Sequence, residues 1–134
     1  MRKFLFVLMV MVLVPSAVFA AGNAVFVGDN QILITGAVVD GDDFDVFTAL
    51  GLTPGKDFIE IKKIIWYGSA IVIADVCELE IDDTHPISPI LNCTVAGQPL
   101  ASPTLNTKVN RLYVDQLDHG SVCIIYKSDK VLNN

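Results

Sequence analysis

The chain has 134 residues, 52% of them apolar, and 9 Lys and Arg stand against 15 Asp and Glu for a net charge of −6. That length suits one domain with a modest core. Its acidity excludes general phosphate attraction, which needs clustered Lys and Arg, so no nucleic-acid partner is expected.

The first twenty residues read as a secretory signal peptide. Arg2 and Lys3 open it, residues 4–14 are an unbroken apolar run, and Pro15 and Ser16 break that run. Val18-Phe19-Ala20 then sets small residues where a signal peptidase cuts. The run has about eleven residues, against roughly 20 for a membrane-spanning helix. Cleavage after Ala20 leaves a single mature domain, residues 21–134, with a net charge of −8 once Arg2 and Lys3 are gone. No later stretch is apolar for long enough to span a bilayer. Residues 64–76 come nearest, interrupted by Trp66, Tyr67, Gly68, Ser69 and Asp75. Export to the periplasm or the outside of the cell is the expectation, with no membrane span after cleavage.

Residues 24–27 and 32–39 are short β-forming runs joined by a turn at Gly28-Asp29-Asn30. An acidic loop follows, and residues 46–50 predict one helical turn, stopped by Gly51 and Pro54-Gly55. Residues 57–67 read as a strand with Ile59, Ile61, Ile65 and Tyr67 on one face and Glu60 and Lys62 on the other, Lys63 being out of pattern. Residues 71–81 set Ile71, Ile73, Cys77, Leu79 and Ile81 against Glu78, Glu80 and Asp82. Asp75 interrupts the apolar face and predicts a bulge or an exposed edge. Residues 90–95 form a further strand and 98–107 a loop. Residues 109–117 and 121–127 make a hairpin closed by Asp118-His119-Gly120, with Gly120 at positive φ. About seven short strands and almost no helix predict an all-β fold, a small antiparallel β-sandwich or jelly-roll-like barrel.

Five kinds of candidate site stand out. Asp40, Asp42, Asp43 and Asp45 offer hard oxygen ligands to calcium, though without the spacing of an EF-hand, and a solvated turn is the plainer reading. Trp66 and Tyr67 could stack on a sugar or peptide, but successive strand residues point to opposite faces, so one ring belongs in the core. Cys77 and Cys93 could meet across a hairpin as a disulfide, with Cys123 left over; burial as free thiols is the alternative. His85 and His119 lie in turns without a serine elbow or a metal-ligand spacing, so no enzyme, cofactor or structural zinc is expected. Asn92-Cys93-Thr94 matches the glycosylation acceptor pattern, which is common by chance.

A strand ending in Trp66-Tyr67-Gly68, an acidic strand Cys77-Glu78-Leu79-Glu80-Ile81-Asp82, and the hairpin that runs from Val109-Asn110-Arg111-Leu112-Tyr113 through Leu117-Asp118-His119-Gly120 to Ile125-Tyr126-Lys127 follow in order. Over residues 57–127 the chain resembles small all-β proteins encoded among phage structural genes. Arg111 stands where that group usually has glycine, and His119 where it has serine. The resemblance implies a structural role without catalytic residues, although virion components normally assemble in the cytoplasm. The combined expectation is an exported, non-enzymatic structural or interaction protein with a protein partner or self-association. A secreted module binding carbohydrate or calcium is the alternative.

Overall fold

Apolar residues alternating with polar ones build two antiparallel sheets that enclose one core. The computed structural model describes residues 23–39, 41–68, 70–81, 85–87 and 91–128, so residues 1–20, where a signal peptide is expected, lie outside it. Ten strands follow in chain order: β1 (Ala24–Gly28), β2 (Gln31–Thr35), β3 (Phe44–Asp45), β4 (Ile59–Tyr67), β5 (Val76–Glu80), β6 (Leu91–Asn92), β7 (Leu100–Ala101), β8 (Thr107–Val109), β9 (Tyr113–Leu117) and β10 (Ser121–Ser128). The first sheet runs β1-β2-β10-β4-β7, with β8 also on β4; the second runs β3-β9-β5-β6.

The all-β sandwich is the architecture expected, but with ten strands among the described residues instead of about seven. The additional ones, β3, β7 and β8, are two or three residues long and lie in segments that read as loops or as the end of a longer strand. Periodicity has too few residues to register there. The helical turn is present as α1 (Val46–Ala49). Asp45 caps it, accepting from the Thr48 amide at 3.0 Å and the Thr48 hydroxyl at 2.7 Å.

Two bulges set which side chains enter the core. Register on β10 moves from Ile125↔Lys63 to Tyr126↔Ile61, leaving Lys62 as the extra residue. Ile59, Ile61, Ile64 and Trp66 therefore point inward, and Lys63, Ile65 and Tyr67 outward. The expected face of Ile59, Ile61, Ile65 and Tyr67 is thus half corrected, and Lys63 is no exception. On β9, Asp115 is the extra residue between Glu78↔Gln116 and Leu79↔Val114, so Val114 and Leu117 both face in.

Residues 71–75 are not strand, contrary to expectation. Ile71 is buried and Ile73 is 68% exposed, while Asp75 is buried at 8% instead of bulged or edge-exposed. Asp75 folds this segment locally, accepting from the Val72 amide at 2.7 Å. Gly120 takes the expected positive φ, +83°, and a Cβ there would sit 2.6 Å from the Tyr67 carbonyl oxygen. That close approach joins the turn after β9 to the end of β4.

Candidate interaction surface

An antiparallel sheet over a core usually turns a polar face to water. The outer face of the first sheet does not. Register places Phe26 opposite Leu33, Leu33 opposite Cys123, Cys123 opposite Ile65, and Ile65 opposite Ala101. This apolar row crosses five strands. Leu33, Cys123 and Ile65 are half-buried by their neighbours, and Phe26, at the end of the row, is 63% exposed. Ile125 and Tyr67 widen the row, and Lys63, Thr35 and Ser121 border it. A contiguous apolar surface with a polar border is the signature of a contact site.

The two ends of this sheet differ. Along β4, β7 pairs with Ile65 and Trp66, and β8 with residues 59–61. Between them the Ser102 hydroxyl accepts from the Ile64 amide at 2.9 Å, the Ser102 amide donates to Ile64 O at 2.8 Å, and the Leu105 amide donates to Lys62 O at 3.0 Å. Lys108, 5.2 Å from the Phe58 ring centroid, puts charge on this side. At the other end, β1 pairs only with β2 among the described residues. It is five residues long and uncharged, and Val27 is 48% exposed in addition to Phe26. Long, apolar open edges are templates for further strands.

Trp66 is fully buried, and its Nε1 donates to His119 O at 2.6 Å. It cannot stack on a ligand, which corrects its place as a binding residue. Tyr67 is on the outer face, 37% exposed. A cleft of about 250 Å³ lined by Thr94, Val95, Gln98, Pro99, Leu100 and Ala101 lies near the β7 end of the row. That is below the roughly 300–1,000 Å³ of a typical small-molecule site.

The acidic loop does not act as one ligand set. Asp40 lies outside the described residues, Asp42 is exposed in a turn, and both Asp45 oxygens hold Thr48. Asp43 instead joins Glu80 of β5 and Asp115 of β9, with one oxygen from each within 4.8 Å of the others. The β9 bulge carries Asp115 to this place, and no sequence spacing signals it. Three carboxylates can give three to six of the roughly six to eight oxygens that calcium takes.

Cys77, Cys93 and Cys123 are all free thiols, so the Cys77–Cys93 disulfide is corrected. Cys77 is opposite Leu91, while the Cys93 backbone pairs with Asp75, two positions along. Such diagonal neighbours stand roughly 7–8 Å apart, outside the usual Cα range of a disulfide. The Cys93 thiol donates to Val95 O at 3.3 Å. Burial, with Asp118 and Glu78 nearby, pushes the Cys77 thiol up to about 12, so it stays neutral and inert.

His119 Nδ1 lies 2.8 Å from Asp75 Oδ2 and donates to it. The Val72 amide, and then His119, hold the Asp75 carboxyl below its ordinary range against the opposing effect of burial. Asp118 accepts from the Val76 amide at 2.7 Å and from Gln116 Nε2 at 2.8 Å. These groups tie loop backbone together, with their hydrogen bonds directed at the fold. Among the described residues no helix is long and apolar enough to cross a membrane. No protein-family model, curated protein or solved structure matches this chain.

Proposed function

We propose that this is an exported, non-enzymatic structural or interaction protein, comparable in role to the β proteins encoded among phage structural genes. The observation that supports this best is the apolar row from Phe26 through Leu33, Cys123 and Ile65 to Ala101, on a face that has no core to cover. Light scattering over a concentration series tests it. The native protein associates, and Leu33→Lys and Ile65→Lys weaken that association without lowering the melting temperature of the dilute monomer. A sharp native monomer at every concentration contradicts the reading.

A calcium-binding role is the second reading, and the convergence of Asp43, Glu80 and Asp115 from three elements favours it. Millimolar calcium then raises the melting temperature of the native protein and not of Glu80→Gln. An equal shift in both, or none, removes it.

A further inference from the structure

We infer that the partner is a second copy of this chain, which adds to β1 antiparallel and symmetrically about Phe26. This rests on the interaction reading above and assigns its contact. The Tyr126 amide donates to Asn30 O at 2.9 Å. Backbone groups alternate sides along a strand, so Asn30, Ile32 and Ile34 face β10, while Gln31, Leu33 and Thr35 face β1. Their register partners Gly28, Phe26 and Ala24 are therefore the β1 residues bonded to β2. Val25 and Val27 turn their N–H and C=O groups out of the sheet, to a side where no described strand lies.

The sequence of β1 suits a two-fold contact, in which each surface must complement itself. Ala24-Val25-Phe26-Val27-Gly28 has nearly the same character read from either end. Centred on Phe26, the pairing sets Val25 against the partner's Val27, and the reverse, as hydrogen-bonded pairs. The four outward groups of each copy are then all used. Phe26 meets the partner's Phe26 as a non-hydrogen-bonded pair, where side chains approach most closely and aromatic pairs stabilise a sheet. The 48% exposure of Val27 also acquires a reason. Val27 points to the same side as Val25, which packs on the core, and in the pair it lies beside the partner's Val25.

Charge agrees with this register. β1 carries none in a chain of net charge −6. Asp29 comes opposite the partner's Asn23, an amide that can donate to it. The two Asp29 carboxylates end about 20 Å apart, more than two Debye lengths at physiological ionic strength. The result is one continuous sheet through two copies.

Oxidative cross-linking of the purified protein tests the register. Phe26→Cys, on the axis, links two copies covalently; Ala24→Cys, off the axis, links no more than the native protein with its own three cysteines. Val27→Pro removes an outward N–H, so it loses the dimer and melts as the native protein does at concentrations too low for association. Equal linking by the two cysteine variants, no linking by Phe26→Cys, or a dimer that survives Val27→Pro overturns the inference. If it is overturned while Leu33→Lys still abolishes association, the outer-face reading stands alone. A native monomer at every concentration ends both.

Discussion

The two ends of the first sheet meet the same problem in opposite ways. The strap formed by residues 100–109 covers β4 along its length, through two short strands and a buried serine that both accepts and donates. β1 has no such cover among the described residues and presents Val25, Phe26 and Val27 instead. A protein that can seal an edge at one end of a sheet and leaves the other open and apolar has an unequal distribution of stability and contact. Substitutions in and under the covered end should cost the monomer most, and those at the open end should cost association alone.

The largest effect falls at the closed end. Trp66→Ala empties a fully buried site and leaves His119 O without its donor. Urea unfolding should show a loss of about 3–5 kcal/mol. Ser102→Ala comes next. It strips the buried Ile64 amide of its acceptor, and the loss should be about 1–3 kcal/mol. A smaller value would mean that the strap moves to restore the bond, and that the edge is less firmly sealed than the geometry indicates.

Asp75 supplies a pH dependence. Its folded carboxyl is held below the ordinary range, first by the Val72 amide, so it stabilises the fold above the unfolded value of about 4. That contribution is lost as pH falls below about 4 and through the lower folded value. Melting temperatures measured down to about pH 3 should fall less steeply for Asp75→Asn than for the native chain.

The open end gives the smallest effect on the fold. Phe26→Ser should change monomer stability by no more than about 0.5 kcal/mol while weakening association. Thiol titration separates the faces without altering either. Cys123, half-buried on the outer face, should react before Cys77, and three thiols should titrate after unfolding. A single thiol would show that two of the three are bonded.

Much of this fold is legible in the sequence. Alternation in residues 121–127 and the turn at Gly120 give β10, and Gly51 and Pro54-Gly55 mark the end of the helical turn. The outer face is not legible, because it depends on bulges. One extra residue at Lys62 reverses which of Ile64 and Ile65 is core, and one at Asp115 brings that carboxylate beside Asp43 and Glu80. The first shows in the sequence only as Lys63 falling out of pattern, and the second only as two polar residues between Val114 and Leu117. Asp75 misleads for a related reason: a buried carboxylate that accepts a backbone amide looks, in a linear pattern, like a break in an apolar strand.

Amide hydrogen exchange at β1, followed over a range of protein concentrations, reads the edge contact residue by residue. The Phe26 amide faces β2 and should be protected throughout. The Val25 and Val27 amides should gain protection as concentration rises, together, and lose it in Val27→Pro at the remaining Val25. Exchange at Val25 and Val27 that stays fast at every concentration, while the protein associates, would move the contact away from this edge.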